Sequence, residues 1–175
     1  MVTEFAIRKA EFDDASAIAQ VSFLTWLHAY RGIIPDAELD ALTLESVTEK
    51  WVQILNLAIP KGGTLVAING ESIIAYSRLY PSVDGDDDGD RVATIGSLYV
   101  HPDFQHQGVG RAVMGEILEI AKDHGFAEVT LHVLATNERA QKFYEFLGWE
   151  RDLDAVFEGS DEETTPKVRY RNNLL

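Results

Sequence analysis

Cysteine does not occur among the 175 residues. Disulfides, thiolate metal sites and a cysteine nucleophile are thereby excluded, and the lack fits a reducing, cytoplasmic setting. Basic residues are scarce as well, 15 Lys and Arg against 29 Asp and Glu, for a formal charge of -14. Neutralising phosphates along DNA or RNA needs clustered Lys and Arg, so nucleic acid is not an expected partner. Long apolar runs are missing too, and Met1 leads into Thr3 and Glu4 rather than a basic segment and an apolar stretch. Neither export nor a membrane is expected. There is no internal repeat and no dividing linker, so a single domain over residues 1–175 is expected. What is present is ordinary globular composition, 46% hydrophobic and 25% charged, with enough chain to bury a core. The surplus negative charge keeps such a protein soluble, and it would also steer cationic amines toward the surface.

Hydrophobic periodicity divides the chain into alternating helices and strands. Strands are expected at 5–8, at 64–68 and 72–80 on either side of Asn69-Gly70, from Ile95 to Val100, and at 127–134, 149–157 and 167–174. Helices are expected from Ile18 to Tyr30, from Asp36 to Leu42, from Leu44 to Ile59, from Ala112 to Ala121 and over 137–146. Asp13 and Asp14 are placed to cap the first helix, and Asn-Gly suits a type I′ hairpin turn. Asp84, Asp86, Asp88 and Gly89 match the first half of a calcium loop, but Ile95 stands where a bidentate Glu is needed. This acidic run is therefore expected to be a solvated, mobile loop, and no metal is expected. The alternation implies an α/β sandwich around a mixed sheet of about seven strands flanked by helices.

The most informative stretch is Ile95 to Arg111, IGSLYVHPDFQHQGVGR. Its β-favouring start is stopped by Pro102, and the polar turn Gln105-His106-Gln107-Gly108-Val109-Gly110-Arg111 opens a helix. A helix start behind a glycine turn leaves backbone N–H groups aimed one way, with the positive end of the helix dipole behind them. That suits a phosphate. Glycines also join strands to helices for purely geometric reasons, so the turn alone leaves both readings open.

The order strand, QxxGxG turn, helix, strand, then Asn137 and Phe143-Tyr144-Glu145-Phe146-Leu147-Gly148-Trp149, resembles the GNAT superfamily of acyl-CoA N-acyltransferases. The resemblance covers most of the chain and implies the GNAT fold, with a sheet that splays between its fourth and fifth strands to admit pantetheine. It implies acetyl-CoA as co-substrate, with the pyrophosphate on Gln105, His106, Gln107, Gly108, Val109, Gly110 and Arg111. The backbone of Leu98, Tyr99 and Val100 would pair with the pantetheine amides, and Asn137 and Ala140 would lie along the cofactor arm. Tyr144 matches the tyrosine that protonates the leaving thiolate. A phenol near pKa 10 can do this for a thiol near 8.5 without a large shift, though packing beside Phe143 and Phe146 would also explain the residue. Asn137 is in any case a natural helix cap. Lys142 would meet the adenosine phosphates or only water.

Many family members carry a Glu on the fourth strand as proton acceptor. This chain has Thr94, Ile95, Gly96 and Ser97 there. Ser97 to order a water, His132 out of phase with Leu131 and Val133, and His28 in the first helix are the alternatives; His101, His106 and His124 read as loop or cap residues. The stretch from Trp26 to Pro35 resembles a subgroup with a W…YRG..P signature that includes polyamine acetyltransferases. Trp26 and Tyr30, four apart, would share a helix face and line an amine pocket, with Asp36, Glu38 and Glu71 as acidic partners. The expected activity is direct transfer from acetyl-CoA to a primary amine in a ternary complex. Polyamines come first as acceptor, then protein or peptide amino groups; a coenzyme A-binding module without turnover is the rival. Homodimers are common in the family.

Overall fold

The computed structural model describes residues 4–153 and 166–174. Seven strands form one sheet: β1 (Ala6–Lys9), β2 (Gly63–Asn69), β3 (Ser72–Pro81), β4 (Val92–Val100), β5 (Glu128–Leu134), β6 (Glu150–Asp152) and β7 (Lys167–Asn173). Their order is β1-β2-β3-β4-β5-β7-β6. All neighbours are antiparallel except β4 and β5, which are parallel and joined by helix α4 (Val109–Asp123). A parallel pair needs such a crossover, because a hairpin cannot return the chain in the same direction. The mixed α/β sheet expected from the alternation is the one observed.

The period-two alternation of the strands gives the sheet two apolar faces. One is covered by α1 (Ala15–Tyr30) and α3 (Leu44–Asn56), where Ile18, Val21 and Trp51 pack on Val66 and Tyr76. The other is covered by α4, whose Met114, Ile117 and Ala121 pack on Ala93, Ile95 and Leu131. Helix α5 (Glu138–Phe146) lies beside α4, with Tyr144 and Leu147 partly buried against the same cluster. The short α2 (Asp36–Asp40) follows α1.

Several local expectations are corrected. Asp14 does not cap α1 with its side chain; it grips Arg8 through two hydrogen bonds of 2.6 and 2.8 Å and accepts from the Glu11 N–H at 2.7 Å. A bidentate ion pair outcompetes a single cap bond. Helix α3 ends at Asn56 rather than Ile59. In the β2–β3 hairpin Asn69 pairs with Ser72, so the loop residues are Gly70 and Glu71. Gly70 has φ +59°, whereas Glu71 lies outside the positive-φ region. That is the pattern of a type II′ turn, which needs glycine only at its first central position. The expected strand over 149–157 is β6 as far as Asp152; its remainder and the acidic segment 158–165 lie outside the described residues or at their edge.

The acidic run after β3 departs furthest from expectation. It is docked on β7 rather than solvated. The Arg169 side chain is 1% exposed, and it holds Asp84 at 3.0 Å and Asp152 at 2.8 Å. Its Nη1 also donates to Asp86 at 2.7 Å. Arg171 holds Asp87 at 2.8 Å, Glu128 at 2.8 Å and Asp152 at 2.9 Å. Asp87 is 2% exposed in its side chain. A carboxylate can be buried when a guanidinium satisfies its lone pairs, and two arginines 83 to 85 residues downstream do so here. Asp84, Asp86 and Asp87 do converge, as a metal site would require, but on the Arg169 guanidinium.

Candidate active site

The pairing of β4 with β5 stops after Ile95↔Leu131, although both strands continue. Beyond that point Ser97 to Val100 keep their β3 partners on one side only, and Gly96 falls at a register shift without a β3 partner. The strands part, and a cavity of about 950 Å³ opens between them. Its walls come from α1, β4, β5, the turn before α4, and α5. The exposed backbone edge of β4 is a site where an extended amide-bearing chain can add as a further strand.

At one end of the cavity the turn is built as the sequence suggested. Gly108 is the N-cap of α4 with φ +85°, a conformation that costs an L side chain about 1–2 kcal/mol. No atom lies within 4 Å of a Cβ added there, so the need is for the backbone angle alone. Gly110 differs. It is helical without a positive φ, and a Cβ added there would sit 3.4 Å from Val100 and 3.5 Å from Phe143, in ordinary contact with both. His106 also takes a positive φ of +61°. The Gln105 side chain does not wait in solvent: its Nε2 donates to the Val100 carbonyl at 3.0 Å, and its Oε1 accepts from Arg139 at 2.6 Å. Arg139 also donates to His106 Nε2 at 2.8 Å. This arginine, which the motif gave no reason to single out, brings a second cation beside Arg111 at the cavity edge. Its signal was its position two residues after the helix-capping Asn137, within the first turn of α5.

Gln105, His106, Gly108, Gly110 and Arg111 line the cavity, as do Leu98, Tyr99 and Val100. Gln107 and Val109 do not. Val109 is buried in the core between α4 and β3, and Gln107 is exposed with its amide donating to the Asp103 carbonyl at 2.8 Å. Asn137 caps α5 by accepting from the Ala140 N–H at 3.2 Å, and both residues line the cavity. Lys142 lies at the rim, 76% exposed, 3.7 Å from Glu138.

Tyr144 enters from α5, its ring against Phe143 at 5.5 Å and Trp149 and Tyr170 at 6.1 Å. Burial pushes its hydroxyl well above the ordinary phenol value, and Tyr30 across the cavity adds to the effect. The group stays protonated at any working pH. It is therefore a donor.

On the opposite wall Trp26 and Tyr30 do share a face, in edge contact at 5.0 Å, and the Tyr30 hydroxyl lies 3.1 Å from that of Tyr99. Burial raises the Tyr30 phenol, and the Tyr99 hydroxyl partly offsets this. His28 and Glu38 line the same wall. The other two acidic candidates do not: Asp36 is held by Arg31 at 3.1 Å, and Glu71 is in the β2–β3 turn.

At the point where β4 and β5 part, Gly96 is covered by Tyr80. A Cβ at 96 would fall 2.4 Å from Tyr80 Cε1 and 2.7 Å from its hydroxyl, so no side chain fits there while Tyr80 keeps its place. Arg78 lies over the Tyr80 ring at 5.1 Å. Ser97 lines the cavity, and its carbonyl accepts from the Ser77 hydroxyl at 2.9 Å. His132, the first β5 residue beyond the last pair with β4, also lines the cavity, with Nε2 3.0 Å from Asp84 Oδ2.

The Acetyltransferase (GNAT) family profile matches residues 23–149, most of the chain. The chain belongs to this family. It is 27% identical over 154 residues to the uncharacterized N-acetyltransferase YuaI of Bacillus subtilis (strain 168), covering 87% of this chain and 84% of that one. It is 30% identical over 141 residues to an uncharacterized N-acetyltransferase of Archaeoglobus fulgidus, covering 79% and 88%. Its fold matches the crystal structure of the PaiA N-acetyltransferase from Thermoplasma acidophilum in complex with coenzyme A. The TM-score is 0.76 at 21% identity, over 97% of this chain and 99% of that one. The protein is thus an N-acetyltransferase of the GNAT family and fold. Among the described residues no helix is long and apolar enough to cross a membrane.

Proposed function

We propose that this GNAT enzyme acetylates a small primary amine, with polyamines as the favoured class, by direct attack on acetyl-CoA. The observation that carries the reading is the two-ended cavity at the β4–β5 split. One end is a glycine turn and helix start with Arg111 and Arg139; the other is walled by Trp26, Tyr30 and Glu38. Aromatic faces and a carboxylate suit an ammonium. The formal charge of -14 adds long-range steering of cations.

In this reading the turn from Gln105 to Arg111 takes the pyrophosphate through its N–H groups, helped by Arg139. Gln105 contributes indirectly, by tying the turn to the end of β4 and to α5. The β4 edge from Leu98 to Val100 binds the pantetheine arm and polarises the acetyl carbonyl. Asn137 and Ala140 border that arm. Tyr144 gives its proton to the sulfur as the C–S bond breaks.

The test is free-thiol release from acetyl-CoA against a panel of amines that includes spermidine, with the thermal shift by coenzyme A recorded on the same sample. A shift with spermidine-dependent release supports the reading. A shift with release to another amine moves the acceptor class, and no shift removes the reading. A coenzyme A-binding module without turnover is the second reading, favoured by the absence of a carboxylate at Gly96; a shift with no release to any amine supports it.

A further inference from the structure

The amine-acetylation reading above leaves the proton on the attacking ammonium unaccounted for. A primary amine near pKa 10.4 is almost entirely protonated at neutral pH and must lose a proton to attack. No side chain can project from Gly96, and Tyr80, which covers it, has its phenol raised by burial, an effect that Arg78 reduces and Asp84 reinforces. A raised phenol holds its proton. It is no base.

One residue along, on the facing strand, the chemistry is different. His132 follows Leu131, the last β5 residue paired with β4, so it stands at the apex of the split, level with Gly96 and beside the start of the free β4 edge. Leu131 and Val133 point into the α4-side core, which turns the intervening His132 to the other face, the face of Trp26 and Tyr30. Behind it lies Asp84, with Oδ2 3.0 Å from His132 Nε2. Asp84 is fixed in turn by Arg169 at 3.0 Å, and Arg169 is the antiparallel partner of His132 across β5 and β7. A carboxylate at Nε2 favours the tautomer with its hydrogen on that nitrogen and leaves Nδ1 as the basic one.

We propose that His132, oriented by Asp84, accepts the proton of the incoming amine in the transfer reaction. Nδ1 takes one proton from the ammonium before attack. That proton passes on to solvent, and as the amine lone pair forms the C–N bond nitrogen sheds a second proton to the same Nδ1, while Tyr144 gives its own proton to sulfur when the C–S bond breaks and regains one from solvent. His132 then returns its proton to solvent, and the net products are the amide, the thiol and one proton.

The charged surroundings fit this role. Asp84 reaches His132 from the loop between β3 and β4, Arg169 and Lys167 from β7, and the Tyr80 phenol lines the cavity from β3. Burial lowers the imidazole below its usual value, Asp84 opposes this, and Arg169 and Lys167 reinforce it. The ring is therefore neutral and able to accept a proton at neutral pH. An imidazole is also the better-matched acceptor, with an ordinary pKa about two units closer to that of the amine than a carboxylate's. The acidic run is then a support for catalysis. Arg169 holds Asp84, and Asp84 aims His132.

Two measurements test this. In the first, histidine 15N correlation spectra of the intact protein at pH 7 report the His132 tautomer without any substrate. A neutral ring with hydrogen on Nε2, changed in Asp84→Asn, is expected; a ring protonated at pH 7, or carrying its hydrogen on Nδ1, overturns the proposal. In the second, His132→Gln and Asp84→Asn are assayed on the amine that the wild type acetylates best in the panel. His132→Gln is expected to lower kcat about 100-fold or more with little change in the acetyl-CoA KM, and to remove the limb of the pH profile below pH 6.5. Asp84→Asn is expected to lower kcat less and to move that limb to lower pH. Wild-type kcat and an unchanged pH profile in a His132→Gln protein that coenzyme A still stabilises would overturn it. That result leaves the transfer reading intact, whereas a wild type that acetylates no amine removes the transfer reading itself.

Discussion

Two polar, glycine-containing segments bear on the cavity: the turn from Gln105 to Arg111, which lines it, and the acidic run from Ser82 to Arg91, which reaches it only through Asp84 behind His132. They work in opposite ways. The turn derives its character from its own backbone, with Gly108 at φ +85° and a helix dipole behind it. The acidic run derives its structure from Arg169 and Arg171, some 85 residues away, without which Asp84, Asp86 and Asp87 would repel one another. A local device can be recognised from a heptapeptide; a device assembled across the sheet cannot.

Arg169→Ala breaks the comparison most severely. It strips three loop carboxylates and Asp152 of a fully buried partner and is expected to cost about 3–5 kcal/mol in chemical denaturation. Because the loop carries Asp84, any folded fraction should also lose turnover. Wild-type stability would mean that the cluster is solvated after all. Tyr144→Phe is next. It keeps the packing against Trp149 and Tyr170 but removes the donor, and kcat should fall about 100-fold with a nearly unchanged acetyl-CoA KM. An unchanged rate would make Tyr144 a packing residue only.

Gly108→Ala separates backbone angle from contact in the turn. Since nothing lies near the added Cβ, the loss should be about 1–2 kcal/mol of stability from the positive φ, with any coenzyme A binding following from the turn's integrity. The smallest effect concerns acid. Arg169 holds Asp86 down to about 2, so the stability this carboxylate contributes is complete above the ordinary carboxylate value and is lost as pH falls from there through about 2. Asp86→Asn should lower stability at pH 7 by that whole contribution and flatten the profile below pH 4, so that variant and wild type converge as pH falls toward about 2.

Most of the fold was legible because its signals are periodic and local. The apolar spacing of α4, the alternation of β2 and β3, and the glycines at 108 and 148 each act within a few residues. The alternation of helices with strands then leaves few topologies. Within the site, Tyr144, Asn137, Trp26 and Tyr30 were found because each sits inside a motif. Arg139 and Tyr80 were not. Arg139 matters through its bonds to Gln105 and His106, and Tyr80 through a register that lays its ring over Gly96. The acidic run was misread for the same reason: composition describes a charge but not the partner that a remote strand brings to it. The type II′ turn at Gly70 was missed by one position, since Asn-Gly allows either turn and the pairing of Asn69 with Ser72 decides between them.

Calorimetric titration of coenzyme A into the wild type and Gly110→Asp is the sharpest test of the glycine turn as the pyrophosphate site. The substitution places a carboxylate at the start of α4, where the N–H groups converge. Loss of binding by 100-fold or more, with a folded variant by circular dichroism, is the result predicted. Coenzyme A bound as tightly by Gly110→Asp as by the wild type would contradict it.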